Sequence, residues 1–101
     1  MANLTMFRFR AKPGERVSVI NDFQRWEREH QPRAKGFVRA TLASSYDDLD
    51  EFSATVVFED KETYDANSNS PEQSAWYEEF RQHIVEDPDW FNGNLEVQTT
   101  A

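Results

Sequence analysis

The sequence predicts an α+β fold in which helices cover one face of a four-stranded antiparallel sheet. Two patterns favour this class. In some segments apolar and polar side chains alternate, as they do in strands, and in the segments between them apolar residues recur every three or four positions, as they do in helices. The 101 residues fit one domain spanning 1–101, and the 14 aromatic residues (8 Phe, 3 Trp and 3 Tyr) can supply its core.

The first strand is predicted over Leu4–Arg10. Thr5, Phe7 and Phe9 share one face of it, and the opposite face carries Leu4, Met6, Arg8 and Arg10. Lys12-Pro13-Gly14 then interrupts the alternation. The helix that follows is predicted to end near Gln31-Pro32, and its apolar stripe consists of Val17, Ile20, Phe23, Trp26 and His30, widened by Val19.

A hairpin is predicted next. Alternation returns over Gly36–Tyr46, and residues 52–59 are rich in β-branched and aromatic side chains that favour strands. The polar residues Asp47-Asp48-Leu49-Asp50 separate the two segments and are typical of a turn.

Two further helices and a last strand complete the pattern. Asp60 is the predicted N-cap of a short helix that carries Tyr64. Ser70-Pro71-Glu72-Gln73 combines an N-cap serine, a proline at the first helical position and a glutamine three residues after the cap. The helix it opens presents Trp76, Tyr77, Phe80, His83 and Ile84 on one face and stops before Asp87-Pro88. Asn92-Gly93 is interpreted as a turn or bulge before a strand containing Leu95 and Val97.

This order of strands and helices predicts the ferredoxin-like split βαβ arrangement, with Phe7, Phe9, Phe23, Phe80 and Ile84 in the core. Its sheet has one face without helices, which here would present Leu4 and Met6. A domain of this size is marginal alone. We therefore expect a homodimer that forms through the open sheet face.

Charge and composition exclude several function classes. The formal charge of -8 disfavours nucleic acid and anionic membranes as partners. The absence of cysteine excludes disulfides, thiolate metal sites and a cysteine nucleophile. The first residues do not resemble a signal peptide and no segment is apolar enough to span a membrane, so a cytoplasmic protein is expected.

Two residues are candidates for proton transfer. His83 follows Glu79 by one helical turn, so the carboxylate can orient the imidazole as a general base; a solvated or edge-of-core histidine is the alternative. Tyr64 can offer its hydroxyl to a substrate oxygen or serve only to pack helix against sheet. No metal site is expected, because His30 and His83 have no third ligand at a suitable spacing.

The segment from Phe58 to Trp76, FEDKETYDANSNSPEQSAW, resembles the antibiotic biosynthesis monooxygenase family of dimeric α+β barrels. The first strand running into Lys12-Pro13-Gly14, the Gly36-Phe37 start of the second strand and the acidic hairpin turn also fit. The resemblance implies a homodimer with a cavity between sheet and helices in each protomer. It also implies two activities, quinone-forming oxygenation without metal or flavin, and haem degradation.

The resemblance is incomplete at particular positions. The tryptophan and asparagine of the quinone-forming branch fall on Phe58 and Ala54, and the axial histidine of the haem branch falls near Trp76 or Tyr77, with its first-strand asparagine near Phe7.

We expect Tyr64 and His83 to be the catalytic residues of the site. The residues expected to bind a small apolar or aromatic ligand there are Phe58, Trp76, Tyr77 and Phe7. We expect a cofactor-independent monooxygenase; a non-catalytic ligand-binding dimer and a haem-binding or haem-degrading protein are the alternatives.

Overall fold

A computed structural model describes residues 1–101 and has the predicted α+β architecture. In chain order its elements are β1 (Asn3–Arg10), α1 (Arg16–Glu29), a short 3-10 turn (Gln31–Arg33), β2 (Phe37–Ser44), β3 (Glu51–Phe58), α2 (Lys61–Ser68), α3 (Pro71–Gln82) and β4 (Asp89–Asn94). The strands form one antiparallel sheet in the order β2-β3-β1-β4. This confirms the predicted fold class.

The alternation in β1 places its side chains as the sequence predicts. Phe7 and Phe9 are buried on the helix face, whereas Met6 and Arg8 are exposed on the other. Phe7 pairs with Ala54 of β3 and with Trp90 of β4, so one register row of the helix face runs across three strands. β1 therefore sets the register of its two neighbours, β3 and β4, and with it the positions of their side chains that face the helices.

Two of the predicted caps start the helices that lie over the sheet. The Asp60 carboxylate accepts a hydrogen bond from the Thr63 backbone N–H at 2.8 Å and opens α2. The Ser70 hydroxyl accepts one from the Gln73 backbone N–H at 3.1 Å and opens α3. Each cap satisfies a backbone donor that the helix itself leaves free. The caps thus fix where Tyr64 and Gln73 lie.

The core is aromatic and lies between β1, β3 and the helices. Phe80 is fully buried, and its ring lies edge-on to Phe9 at a centroid distance of 4.9 Å and parallel to Trp76 at 5.3 Å. Phe7, Phe9 and Ile84 are buried with it, and Phe23 packs against this cluster while remaining partly exposed. Four of the five predicted core residues are therefore buried, and Phe23 lies at the edge of the core.

The predicted position of the last strand was wrong. The strand is Asp89–Asn94 and runs through Asn92-Gly93, whereas Leu95 and Val97 lie beyond it. Its partner β1 begins at Asn3, which pairs with Asn94. Residues after Asn94 therefore lie beyond the start of β1 and have no strand residue opposite them. Only the Leu95 N–H reaches further, to the carbonyl oxygen of Ala2.

Three residues of the predicted helix faces, Val17, His83 and Ile84, also lie elsewhere. Val17 is 62% exposed, and the buried residues of α1 are Val19 and Asp22 instead. The predicted third helix ends at Gln82, so His83 is its C-cap residue rather than part of the apolar face, and Ile84 forms an isolated bridge with Ala11. None of the helices has the length and apolar character that crossing a membrane requires.

Candidate functional site

A cavity of about 550 Å³ lies between the helix face of the sheet and the helices α2 and α3. This volume lies within the range of small-molecule sites. Its wall is mainly aromatic, and the rings that line it belong to Phe7, Phe23, Trp26, Phe58, Tyr64, Trp76, Tyr77, Phe80 and Trp90. An aromatic or otherwise apolar ligand fits such a lining.

Five of the six predicted site residues meet in this cavity: Phe7, Phe58, Tyr64, Trp76 and Tyr77. Tyr64 comes from the first turn of α2, and its ring lies edge-on to that of Phe58 with centroids 5.7 Å apart. Trp76 turns its indole N–H away from the ligand space, because that group donates to the backbone oxygen of Asp22 at 2.8 Å. Trp76 therefore offers the cavity its ring and no hydrogen bond.

His83 does not line the cavity. Its Nδ1 lies 2.6 Å from the Oδ2 of Asp22, a residue of α1 that is almost completely buried. The predicted pairing with Glu79 was wrong, because the Glu79 carboxylate lies 2.6 Å from the Arg25 guanidinium instead. His83 is the C-cap residue of α3, and its ring is directed to α1 rather than to the preceding turn of its own helix.

Two side-chain amides contribute polar groups to the cavity wall. Gln73, on α3, accepts a hydrogen bond at its Oε1 from the indole N–H of Trp26 at 2.7 Å. Asn92, on β4, accepts one at its Oδ1 from the Thr5 hydroxyl at 2.7 Å. Thr5 is in turn almost completely buried and accepts from the Asn3 amide at 3.2 Å. Gln73, Asn92 and Thr5 all line the cavity.

The sequence patterns did not single these three residues out as site residues. Gln73 was interpreted only as part of a helix start and Asn92 only as part of a turn. The available signal was Thr5, a polar residue on the otherwise aromatic face of β1, which needs a partner for its buried hydroxyl. Trp90, whose ring lies 4.6 Å from that of Phe7, was missed with the rest of β4.

One tyrosine of the wall has a shifted pKa. Burial raises the pKa of Tyr77 above its usual value of 10.0, and the nearby Asp87 carboxylate raises it further, while Arg81 lowers it. Tyr77 therefore stays protonated at neutral pH.

The donor set of the cavity does not fit a haem. No histidine lines the wall, since His83 is bound to Asp22 and His30 lies in a separate hollow beside Arg33 and Lys35. Trp76 and Tyr77 lie where the resemblance to the haem branch expects its axial histidine. An indole is not an iron ligand, and burial of Tyr77 raises its pKa and so disfavours the phenolate through which a tyrosine binds haem iron. Nor does the structure bring three acidic or histidine side chains together as metal ligands.

A second cavity, of about 600 Å³, lies between α1 and β2. It shares Phe23, Trp26 and Ala40 with the first cavity and contains none of the six predicted site residues. The charged groups Arg16 and Glu27 lie along its wall. We assign the ligand site to the first cavity, because that one combines the aromatic lining with Tyr64 and the two amides.

Comparison with known proteins shows which family the chain belongs to. The sequence model described as antibiotic biosynthesis monooxygenase matches residues 4–79. No curated protein matches the sequence.

Among solved structures, a mutant of SnoaB from Streptomyces nogalater, described as a cofactor-independent oxygenase, is similar with a TM-score of 0.85 at 18% identity, over 96% of this chain and 95% of that one. A proposed antibiotic biosynthesis monooxygenase from Chloroflexus aurantiacus has a TM-score of 0.80 at 19% identity, over 100% and 98% of the two chains. A protein of Mycobacterium tuberculosis has a TM-score of 0.82 at 12% identity, over 99% and 100%. Because the sequence identities are below 20%, these similarities show a shared fold and nothing more specific.

Proposed function

Since the chain belongs to the antibiotic biosynthesis monooxygenase family, we propose that it is a monooxygenase that oxidises a small aromatic or polyketide-like substrate with molecular oxygen and without a cofactor. The observation that carries the proposal is the cavity of about 550 Å³, which joins an aromatic lining to the phenol of Tyr64. The likeness to SnoaB, described as a cofactor-independent oxygenase, supports the same class of reaction.

The proposed reaction converts an activated CH₂ group of the substrate into a carbonyl. The substrate gives one proton to solvent and binds as its carbanion, which supplies the electrons for oxygen. The carbon forms a bond to O₂, and the peroxide anion takes a proton from Tyr64. The Tyr64 phenolate then removes the remaining C–H proton while the O–O bond breaks, and hydroxide leaves and takes up a proton from solvent. One oxygen atom stays in the carbonyl and the other becomes water.

We assign proton transfer to Tyr64 rather than to His83. Tyr64 is part of the cavity wall, within reach of a bound ligand, whereas the His83 imidazole is engaged by Asp22 away from it. General acid–base catalysis requires hydrogen-bond contact with the reacting group. The aromatic rings of Phe7, Phe58 and Trp76 contribute by orienting the substrate and excluding water.

Oxygen uptake tests the proposal. An anthrone that bears phenolic hydroxyls, and a panel of hydroquinones, are offered to the purified protein in an oxygen electrode. We expect one O₂ consumed for each anthrone converted to its quinone, and a fall of about 100-fold in turnover for Tyr64→Phe. Tyr46→Phe is the matched control, because Tyr46 is fully exposed in the hairpin turn. Uptake that is the same in Tyr64→Phe and in the parent would contradict the role of Tyr64.

Non-catalytic binding is the second candidate, and one observation favours it. Ala54 and Phe58 are completely buried and carry no hydrogen-bonding side-chain atom, at positions where the resemblance to the quinone-forming branch expects donors. A protein that binds aromatic ligands but consumes no oxygen with any member of the panel would support binding alone.

We also propose that the protein works as a homodimer formed through the open sheet face. Met6 and Phe91 are register partners on that face, and they are 41% and 62% exposed. Adjacent exposed apolar side chains on a sheet are typical of an interface. A second copy would cover them and leave the cavity, on the opposite face, accessible.

A further inference from the structure

We propose that the cavity recognises an aromatic ligand carrying two oxygen atoms that accept hydrogen bonds, and that the side-chain amides of Gln73 and Asn92 donate those bonds. The inference deepens the proposed function, because it names the ligand chemistry of the same cavity. It rests on how the two amides are held.

The Gln73 amide is oriented by Trp26. An indole N–H can only donate, so the atom facing it at 2.7 Å must be the amide oxygen, Oε1. The two N–H bonds of Nε2 are left for another acceptor. Gln73 is half-buried at the third position of α3 and lines the cavity. It therefore presents a donor from the helical side.

The Asn92 amide is oriented by a relay across the sheet. The Asn3 amide donates to Thr5 Oγ1 at 3.2 Å, so the single hydroxyl proton of Thr5 is free to go to Asn92 Oδ1 at 2.7 Å. Thr5 is 1% exposed, and water does not compete for its hydroxyl. The amide nitrogen of Asn92 is consequently a donor, presented from the sheet side of the same cavity.

Both amides have thus used their acceptor oxygen on the protein and kept their donor nitrogen. They come from two different elements, β4 of the sheet and α3 of the helices, and they line one cavity whose wall is otherwise mainly aromatic. A planar ring with carbonyl or phenolate oxygens at its two ends satisfies both donors at once. Asn92 is exposed and Gln73 half-buried, so water can reach both amides in the empty cavity. A purely hydrocarbon ligand would displace this water and offer no acceptor in its place, which costs binding energy.

The probe for this arrangement is 1,4-naphthoquinone, which has two acceptor oxygens and no donor. The chain has no cysteine, so the quinone finds no thiol to alkylate. All three tryptophans of the chain line the cavity, and their fluorescence reports binding by quenching. Naphthalene, which has the same rings and no oxygen, is the comparison ligand. We expect naphthalene to bind at least about tenfold more weakly than the quinone, measured by its ability to displace the quinone and restore the fluorescence.

Two near-isosteric variants test the donors. Asn92→Asp and Gln73→Glu each keep an oxygen for Thr5 or Trp26 and replace the donor nitrogen by a second oxygen. We expect each to weaken quinone binding by about tenfold or more. The matched controls are Asn94→Asp on β4 and Gln82→Glu on α3, which add the same charge to the same elements outside the cavity wall; these should bind as the parent does.

Stability separates recognition from folding. A glutamate three residues after the Ser70 cap favours a helix start, so Gln73→Glu should keep or raise the thermal midpoint while binding falls. Quinone binding that is unchanged in both variants, or naphthalene binding as tightly as the quinone, would overturn the inference. The proposed function fails differently, through absent oxygen uptake, and a quinone-binding protein without uptake would still support the assignment of the donors.

Discussion

The imidazole of His83 and the carboxylate of Asp22 form a contact of 2.6 Å across the seam between the end of α3 and the middle of α1. The same residue, Asp22, accepts at its backbone oxygen from the indole of Trp76. Two residues of the α3 region therefore bind one position of α1. The contacts of Asp22 with His83 and Trp76 therefore hold α1 and α3 together, in addition to the packing of the aromatic core. The hydrogen bond from Trp76 to Asp22 also fixes the Trp76 ring in the cavity wall.

Replacing His83 should accordingly affect stability more than chemistry. His83→Ala leaves the buried Asp22 carboxylate without its nearest partner, which we expect to cost about 1–3 kcal/mol of unfolding free energy. Urea denaturation measures this. His30→Ala is the control, because His30 makes no comparable contact to a buried carboxylate. A His83→Ala protein as stable as the parent, but with oxygen uptake lost, would return His83 to the catalytic role.

This pair also shows why the sequence predicted the site only in part. Phe7, Trp76 and Tyr77 follow from local periodicity, which places each on the apolar face of its own element, whereas Phe58 and Tyr64 were expected at the site from the resemblance to the family. The partner of His83 lies 61 residues away, and no local pattern specifies it. The nearby Glu79 was the only carboxylate that helical spacing offered, and Arg25 binds it instead. Long-range polar contacts depend on how elements dock, which periodicity does not describe.

The fold was more predictable because its signals are local. Strand alternation in β1 and the caps at Asp60 and Ser70 each act within a few residues, and the structure confirms all of them. The last strand failed for the opposite reason. Where β4 stops depends on where β1 begins, at Asn3, and on contacts of Trp90 with a strand more than eighty residues away in sequence.

The open sheet face yields a prediction about assembly. Met6→Asp places a charge beside Phe91, where a second copy would have to cover it, so the mass measured by light scattering should fall from twice 11.9 kDa toward 11.9 kDa. Val17→Asp is the matched control, since Val17 is also apolar and is more exposed than Met6, but lies on helix α1 rather than on the open sheet face. A parent protein that is monomeric at micromolar concentration would contradict the proposed dimer.

The raised pKa of Tyr77 predicts a loss of stability at high pH. The folded state holds the phenol neutral through burial, so its pKa exceeds the 10.0 of the unfolded chain. Well below pH 10 the Tyr77 phenol is protonated in both the folded and the unfolded state, so its contribution to the free energy of unfolding does not change with pH. As pH rises above 10, the unfolded state loses its proton first and the folded state is disfavoured. Unfolding measured between pH 9 and about pH 11 should therefore be less steeply pH-dependent in Tyr77→Phe than in the parent; identical slopes would contradict the shift.

The two glycines with positive φ make a matched pair for testing how α2 is positioned. Gly14 and Gly36 have φ of +79° and +81°, so alanine is strained at both by backbone conformation alone. A Cβ at Gly14 has no atom within 4 Å, whereas one at Gly36 would lie 2.5 Å from Thr63 Oγ1 and 2.6 Å from Thr63 Cβ. Thr63 belongs to α2 and directly precedes Tyr64.

We therefore expect Gly14→Ala to cost about 1–2 kcal/mol and Gly36→Ala about 1–3 kcal/mol more, the second amount being the displacement of Thr63. The displacement should also move Tyr64, so quinone binding should weaken in Gly36→Ala and remain unchanged in Gly14→Ala. Thermal denaturation and tryptophan quenching measure the two effects on the same samples. Equal stability losses in the two variants would mean that displacing Thr63 and α2 costs no free energy of unfolding. The close approach of Gly36 to Thr63 would then not be what positions Tyr64 in the cavity wall.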